Sequence, residues 1–392
     1  MKVVKIFIPG RFEDAFLYRG WLVAVTEEKS LRFVPLSRVT SAIKGSEQSH
    51  PWPSLLFLRN DWINSEQFEC LARNNSVRRA LLKSLSGFAE RIHYIDLAET
   101  AFRELDPNLP CDLVYDLNIY YGRVYFGTDR GLFDADFDWR NEPEMQQNAP
   151  ERRLEAKCVS TSARYSSINA SCASEGLFTA FDEFGSLNHH DRTNLEQVAP
   201  ISLRTMWLRY DVVNYETRTK PTLLHSSTED ADVMGFEREN RVVTRFQPTG
   251  TLNELSGYLS DAENIDARDI RFVFNSSNVF FIHTRQGYFY SLGVQRDEND
   301  LPKFTWTKSY KGQNGRIVSA HPLRGATTLI ETDKRVLMFA RNNWYRVLDG
   351  EVISIKTFNR SRRFQHLACL VKSDGIVLAS WYDDSKLKQR AA

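Results

Sequence analysis

A strand-turn-strand unit recurs seven times along this chain of 392 residues and limits the available folds more than any other feature. Each copy consists of an apolar stretch, a polar turn that begins with Thr or Ser, and a second apolar stretch. The turns begin at Thr26, Thr128, Ser174, Thr217, Thr284, Thr332 and Ser373. Two short apolar runs joined by such a turn are typical of a β-hairpin. The sequence therefore predicts seven hairpins and an all-β fold.

The residues of these turns indicate how the hairpins close. A Thr or Ser hydroxyl at the start of a turn can bond a backbone group within it. Glycine follows in four of the seven turns, where we expect it to supply a positive φ angle; these glycines are Gly131, Gly176, Gly287 and Gly375. The motif is structural, and we assign it no chemistry.

The spacing of the hairpins favours one architecture. The turns are centred near residues 29, 131, 176, 219, 287, 334 and 375, so that four of the six intervals are 41 to 47 residues long. One four-stranded blade of a β-propeller takes about 40–50 residues. We predict a single domain over 1–392, a β-propeller of about seven four-stranded blades with an α-helical insertion. The alternative is two smaller all-β domains.

The insertion is predicted where the hairpin pattern stops. Between 64 and 104 the apolar residues are spaced three and four apart, which is typical of helices. Phe68, Leu81, Leu85 and Phe88 lie on this apolar stripe. We expect two or three short helices inserted after the first blade.

Three further expectations concern the ends of the chain and one long interval. Residues 2–8 form a lone apolar strand, which we expect to pair into the last blade and close the fold, because this removes an exposed sheet edge. We expect the tail at 385–392 to be disordered. A polar insertion around Asp261–Arg268 would account for the 68-residue interval between the fourth and fifth turns.

Composition excludes several classes of protein. Lys and Arg number 51 and Asp and Glu number 50, so a net charge of +1 gives no overall field toward nucleic acid or an anionic membrane. The five cysteines form no C-x-x-C pair, so we expect reduced thiols and no cysteine-based zinc site. No apolar run approaches the roughly 18 residues that a membrane span needs. We expect a cytoplasmic protein without a membrane contact.

The segment Val124–Trp139, VYFGTDRGLFDADFDW, resembles the hairpin repeats of quinoprotein-type and sensor-type bacterial β-propellers. The resemblance covers one hairpin of each blade and is close in one or two of them. It implies architecture and carries no functional residue to this chain. The regular tryptophan pattern of quinoproteins is missing, so we expect no quinone and no other cofactor.

Two groups of residues are candidates for catalysis or metal binding. Adjacent histidines on a strand point to opposite faces, so we predict no metal site at the cluster Asn188, His189, His190 and Asp191. Pairs of acids could act as general acid and base in a propeller hydrolase or lyase that cleaves a glycan or small ligand at the central channel; these are Asp134 and Asp136, Asp182 and Glu183, Asp230 and Asp232, and Asp383 and Asp384. Catalytic residues stay unknown at this point.

Two other groups are candidates for binding. The apolar stripe of Phe68, Leu81, Leu85 and Phe88 must pack either on its own chain or on a protein partner. Arg360, Arg362 and Arg363 alternate with Phe358 and Phe364, a pattern that would grip phosphates and stack bases.

These observations leave three hypotheses of function. The leading one is a non-enzymatic interaction or sensing scaffold in a larger bacterial complex, with its partner on the insertion or on one propeller face. The hydrolase or lyase is the alternative, and nucleic-acid binding through the basic loop is ranked below it.

Overall fold

The structure is a computed structural model. It describes residues 1–43, 52–63, 65–89, 91–95, 102–164, 167–181, 195–208, 211–231, 241–251, 265–276, 279–296, 302–312, 315–324 and 327–382.

Strands dominate the described residues. The first fifteen are β1 Lys2–Pro9, β2 Phe12–Tyr18, β3 Trp21–Thr26, β4 Leu31–Pro35, β5 Ile92–Tyr94, β6 Arg103–Leu105, β7 Val114–Tyr120, β8 Arg123–Thr128, β9 Gly131–Asp138, β10 Glu144–Met145, β11 Glu151–Leu154, β12 Ser160–Arg164, β13 Ser167–Ser171, β14 Leu177–Phe181 and β15 Glu196–Ala199. The others are β16 Arg204–Leu208, β17 Asp211–Tyr215, β18 Pro221–Ala231, β19 Arg241–Thr251, β20 Ile270–Ser276, β21 Val279–Thr284, β22 Tyr288–Arg296, β23 Pro302–Lys311, β24 Ile317–Pro322, β25 Thr328–Thr332, β26 Arg335–Ala340, β27 Asn343–Asp349, β28 Ser354–Thr357, β29 Leu367–Lys372 and β30 Gly375–Tyr382.

Helices are few and short. The α-helices are α1 Leu36–Ser41, α2 Asn60–Ile63, α3 Glu66–Leu71 and α4 Asn75–Ala89. A π-helical turn spans Ser54–Leu58, and a 3-10 turn spans Ala267–Asp269.

The strands form seven sheets. Five sheets have four strands each: β2-β3-β4-β6, β12-β13-β14-β15, β16-β17-β18-β19, β20-β21-β22-β23 and β24-β25-β26-β27. The sixth has the order β7-β8-β9-β10, with β11 also paired to β9. The seventh, here called the closing sheet, has the order β28-β29-β30-β1-β5. The seven predicted hairpins are the second and third strands of these seven sheets. The predicted fold class is confirmed.

Burial explains why these hairpins were visible in the sequence. Every described residue of β13 and all but the first of β3, β8 and β21 are buried, so the second strands are covered on both faces. In β3 and β21 this gives an almost continuous apolar run, whereas β13 also buries two serines and an asparagine. The first strands β2 and β7 share a different pattern, in which buried and half-buried residues alternate around one irregularity. That irregularity is a shift of register after the first residue, a β-bulge, at Phe12 and at Val114.

Hydroxyl groups close the turns as predicted. Thr128 Oγ1 donates to the Gly131 carbonyl at 2.8 Å and accepts from the Arg130 amide at 3.1 Å. Thr332 Oγ1 donates to the Arg335 carbonyl at 2.9 Å. Other turn threonines also bond within their turns, namely Thr26, Thr217 and Thr284.

The predicted role of the turn glycines is right at three positions and wrong at one. Gly131, Gly176 and Gly287 have positive φ, but Gly375 does not. A Cβ atom at Gly375 would lie 2.3 Å from the carbonyl oxygen of Ile8. Glycine is needed there because β1 approaches the backbone closely, a demand that comes from another strand and not from the turn.

Contacts divide the chain into two compact units. Unit 1 comprises Met1–Leu109, Trp139–Pro143 and Gly315–Ala392, and unit 2 comprises Pro110–Asp138 and Glu144–Asn314. Unit 1 holds the sheet β2-β3-β4-β6, the sheet β24-β25-β26-β27 and the closing sheet, and unit 2 holds the other four. The single-domain reading stays a prediction.

In unit 1 both chain ends contribute to the closing sheet. β1 pairs antiparallel with β30 along its whole length, from Lys2 opposite Tyr382 to Pro9 opposite Gly375. The short strand β5 adds to β1 in parallel. The tail at 385–392 lies outside the described residues.

The helical segment differs in position from the sequence prediction. It lies within the first sheet, between its third strand β4 and its fourth strand β6, and it begins at Leu36 rather than at residue 64. The helices before residue 64 have four to six residues each, too few to show a helical period.

In unit 2 the long interval has a simple source. β18 and β19 are 11 residues each and form an extended hairpin. Of the predicted insertion around Asp261–Arg268, the residues up to 264 lie outside the described residues, and the rest lead into the 3-10 turn.

Candidate interaction surfaces

The apolar side of the helical insertion packs on its own chain. Phe68, Leu85 and Phe88 are 2%, 1% and 3% exposed and belong to the same core as Ile6 and Leu378 of the closing sheet. Leu81 is half-buried against this core. The four residues proposed as anchors for a partner therefore hold the insertion to unit 1. An anchor needs exposed surface, and three of these side chains have almost none.

Polar contacts orient the helices on this core. Ser65 caps α3 by accepting from the Phe68 amide at 3.3 Å. His93 Nε2 lies 2.7 Å from the Phe88 carbonyl, and its ring stacks on Phe88 with 3.8 Å between the centroids. The Ser380 hydroxyl of β30 donates to the Leu56 carbonyl at 2.9 Å. The π-helical turn and the end of α4 are thus both tied to the closing sheet.

The outward side of the insertion has a different character. Leu71 is 52% exposed and Val77 is 38% exposed, although both are large and apolar. Three exposed basic residues lie close to them in sequence: Arg73, Arg79 and Lys83. The sequence of α4 contains no acidic residue. We call these five residues the outer strip of the insertion.

The basic loop between β28 and β29 does not offer its rings for base stacking. Phe358 and Phe364 are buried and contact each other, with 6.1 Å between their centroids. Phe358 also packs edge-on against Phe16 at 5.1 Å. The prediction of a stacking platform is wrong, because the apolar rings of this loop fill the core beneath it.

The three arginines of this loop point outward. Arg360, Arg362 and Arg363 are exposed. The Arg363 guanidinium lies 5.5 Å from the centre of the Phe364 ring, a cation–π contact. Ser361 Oγ shapes the turn by accepting from the Phe364 amide at 3.0 Å. The loop is therefore a compact turn with aromatic residues inward and arginines outward.

The first candidate acid pair is held by arginines. Arg123 bonds Asp136 through Nε at 2.7 Å and Nη2 at 3.0 Å, and it bonds Asp134 through Nη1 at 2.9 Å. Arg153 Nε donates to the other oxygen of Asp134 at 2.8 Å. Burial alone would lower the pKa of Arg123, but the negative charge of Asp134 and the bond to Asp136 outweigh it and raise that pKa. Both carboxylates are committed to ion pairs, which leaves neither to act as a general acid.

A serine, a histidine and a glutamate also meet in unit 1. Ser319 Oγ lies 2.7 Å from His321 Nε2 and donates to Glu331 Oε2 at 2.6 Å. A serine nucleophile must give its proton to the histidine. Here the Ser319 hydroxyl donates to the glutamate, and the direction of its hydrogen bond with His321 depends on the imidazole tautomer. The arrangement is a structural link between β24 and β25.

The remaining catalytic candidates are not described. The side chains of Asp182, Glu183, Asn188, His189, His190, Asp191, Asp230, Asp232, Asp383 and Asp384 lie outside the described residues. Within the residues that are described, no three His, Cys, Asp or Glu side chains come together as a metal site would require. In the same residues, no helix has the length and apolar character to cross a membrane.

Comparison with known proteins settles the architecture. No family model and no curated protein matches the sequence. The structure is similar to the β-propeller domain of Cps50 (Swd1) from Myceliophteria thermophila, with a TM-score of 0.50 and 8% identity over 96% of this chain and 98% of that one. The fold is a β-propeller. The WD40 β-propeller domain of Doa1 also matches, with a TM-score of 0.48 and 7% identity over 98% of this chain and 97% of that one.

Proposed function

We propose that this β-propeller is a non-enzymatic scaffold that holds a protein partner within a larger assembly of the bacterial cytoplasm. The observation that carries the proposal is the two-sided character of the insertion. Its inner side is anchored in the core of unit 1, and its outer strip exposes Leu71 and Val77 together with basic residues that are close to them in sequence.

Rigid anchoring supports a binding role for this strip. Partner surfaces gain affinity when their residues are already ordered, because less conformational entropy is lost on binding. The inner residues Phe68, Leu85 and Phe88 provide that order. Apolar side chains within a polar rim are also the usual composition of a protein interface.

Local chemistry in the described residues agrees with a binding role. The acids Asp134 and Asp136 are neutralised by arginines, and the Ser319 hydroxyl donates a hydrogen bond to Glu331. The two clusters that resemble catalytic groups are therefore better explained as structural contacts.

The test is a partner capture that changes only the outer strip. The double variant Leu71→Ser and Val77→Ser removes exposed apolar surface and leaves the core unchanged. Deleting 64–104 would be a poor test, because it would also remove core residues. The matched control is Val318→Ser and Ile353→Ser, which changes two apolar residues of unit 1 that are also exposed, at 36% and 57%.

The result to measure is the recovery of each cross-linked protein from cells of the source organism. We expect at least one protein to be recovered equally with the wild type and the control and to fall about tenfold with the outer-strip variant, which corresponds to about 1.4 kcal/mol. Equal recovery of every partner with all three proteins would overturn the role of the strip.

A further inference from the structure

Several exposed arginines gather at one end of unit 1, although they are far apart in the sequence. In an antiparallel sheet of four strands, the connection between the first and second strands and the connection between the third and fourth strands leave from the same end. In the three sheets of unit 1, those connections include Arg19 between β2 and β3, Arg38 after β4, Arg324 between β24 and β25, and the loop 358–366 between β28 and β29.

Direct contacts show that these connections are neighbours. A Cβ atom placed on Gly20 would lie 3.1 Å from Arg363 Nη1, so the basic loop touches the β2–β3 turn. Arg324 Nη1 donates to Gln365 Oε1, which joins the β24–β25 connection to the same loop. The Leu36 amide donates to the Gly20 carbonyl at 2.8 Å, which brings the start of α1 to this turn as well.

The segments that meet at this end carry arginines and no acids. Arg19, Arg38, Arg324, Arg362 and Arg363 are all exposed, and we call them the arginine end. None of the five forms an ion pair with another residue that the structure describes. The segments that carry them, 17–22, 36–43, 322–324 and 358–366, contain no Asp or Glu. These four segments are therefore basic although the whole chain is almost neutral, with a net charge of +1.

Five guanidinium groups on neighbouring loops are well suited to binding phosphate groups. Each is planar, stays charged at any physiological pH and presents paired N–H donors that match two oxygens of a phosphate group. We propose that the arginine end of unit 1 binds the phosphodiester backbone of a nucleic acid. The outer strip lies on the β4–β6 connection, which leaves from this same end. The present proposal rests on the five arginines alone and does not depend on the scaffold proposal.

The kind of contact follows from what surrounds the arginines. Phe358 and Phe364 are buried, so they offer no face on which a base could stack. Contacts made to phosphates alone position a nucleic acid without reading its sequence. A duplex suits such a surface, because it carries one negative charge per about 1.7 Å of its length. We therefore expect duplex binding that is independent of sequence.

Other polyanions fit less well. A protein that inserts into an anionic membrane uses large apolar side chains beside its basic residues. In the part of the chain that the structure describes, none of the exposed large apolar residues lies in the four segments of the arginine end. A carboxylate of an acidic protein has one oxygen pair and a single charge, whereas successive phosphates of a duplex reach several arginines at a regular spacing.

The experiment measures fluorescence anisotropy of labelled RNA and DNA duplexes of about 20 base pairs, with the full chain and at several salt concentrations. We expect the logarithm of the binding constant to fall with the logarithm of salt concentration at a slope of about −4, since roughly five phosphates are neutralised. Binding of RNA alone, of DNA alone or of both supports the proposal and identifies the nucleic acid.

The decisive variant is Arg19→Gln, Arg362→Gln and Arg363→Gln together. We expect binding to weaken more than about tenfold and the slope to fall toward about −2, because each lost phosphate contact removes about one unit. The matched control is Arg130→Gln, Arg152→Gln and Arg268→Gln, three exposed arginines of unit 2 that already pair with acids. It loses the same charge and should bind as the wild type does.

Two parallel measurements keep the outcome clear. Polyglutamate and vesicles of phosphatidylcholine with phosphatidylserine replace the duplex in otherwise identical titrations. The proposal is overturned if the triple variant binds duplexes as tightly as the wild type, if both triple variants lose binding equally, or if polyglutamate or the vesicles bind the arginine end more tightly than either duplex. Circular dichroism melting of each variant establishes that any loss of binding comes from a folded protein.

Discussion

The arginines of unit 2 and those at the arginine end of unit 1 serve opposite purposes. In unit 2 the arginines of one sheet are paired with carboxylates, as Arg123 is with Asp134 and Asp136 and Arg153 is with Asp134. At the arginine end, five exposed guanidinium groups form no ion pair within the described residues. Paired charges within a sheet stabilise its folded geometry. Unpaired like charges repel each other, so their grouping points to a ligand that supplies the missing negative charge.

The largest effect should come from breaking a buried network of unit 2. Arg123→Ala removes the partner of two acids, of which Asp134 is only 2% exposed. Breaking a buried ion pair costs about 3–5 kcal/mol. Because Arg153 keeps its bond to Asp134, we expect a loss near the lower end of this range in the free energy of unfolding, measured with urea. Arg130→Ala removes an exposed pair and should cost less than about 1 kcal/mol. Equal losses would contradict the contrast between buried and exposed pairs.

The insertion allows the same contrast between its inner and outer sides. Phe88→Ala deletes a ring that is 3% exposed and should lower the free energy of unfolding by about 3–5 kcal/mol. Leu71→Ala changes a side chain that is 52% exposed and should lie within about 0.5 kcal/mol of the wild type. Urea titrations of both variants measure this difference. A small loss for Phe88→Ala would mean that the insertion does not stabilise unit 1.

His283 breaks the rule that buried polar groups are partnered. It is 3% exposed, and neither ring nitrogen has a hydrogen-bond partner among the described residues. Burial, aided by the charge of Arg271, lowers the pKa of His283 to about 4. Its ring lies 4.6 Å from that of Phe289, centre to centre. The neutral imidazole therefore behaves as an aromatic core residue.

This shift predicts a dependence of stability on pH. Above the ordinary histidine pKa of about 6.5, the His283 imidazole is neutral in both the folded and the unfolded protein. In that range it contributes nothing to the pH dependence of stability. As the pH falls from about 6.5 to about 4, the unfolded chain binds the proton first, so the folded state loses about 3 kcal/mol. His283→Phe should remove this loss, and unfolding curves at several pH values compare the two proteins. An unchanged acid profile in the variant would show that another group is responsible.

The smallest effect on stability is expected at the arginine end. The triple variant of Arg19, Arg362 and Arg363 to Gln removes repulsion between like charges and leaves the core intact. Each substitution should therefore change the free energy of unfolding by no more than about 0.5 kcal/mol, measured in the same urea titrations. A loss of several kcal/mol would assign these arginines a structural role like that of Arg123.

Local patterns carried most of the fold prediction. Each hairpin is a short segment whose turn is specified by its own residues. Thr128 and Gly131, for example, predict their turn without any contribution from residues distant in the sequence. The fourth strands were less visible, because β6 and β10 have three and two residues. The beginning of the helical segment was missed for a related reason, since α1 and α2 are too short to show a period.

The candidate sites were less predictable, because burial is decided by distant parts of the chain. The spacing of Phe68, Leu85 and Phe88 marked an apolar stripe, but the strands that cover it lie at the two ends of the sequence. Phe358 and Arg363 look alike as members of a basic and aromatic loop, yet one fills the core and the other is exposed. No local signal could have grouped Arg19, Arg38 and Arg324 with that loop.

The sequence by itself determined the all-β class, the seven hairpins and the apolar stripe of the insertion, because turn chemistry and periodicity depend on residues that are near each other in the chain. Only the tertiary structure decided which side of each segment is exposed and can bind a partner. Packing removed the apolar candidates from the surface, since burying them is favourable, and left the charged residues in water. The same packing brought together the five arginines of the arginine end.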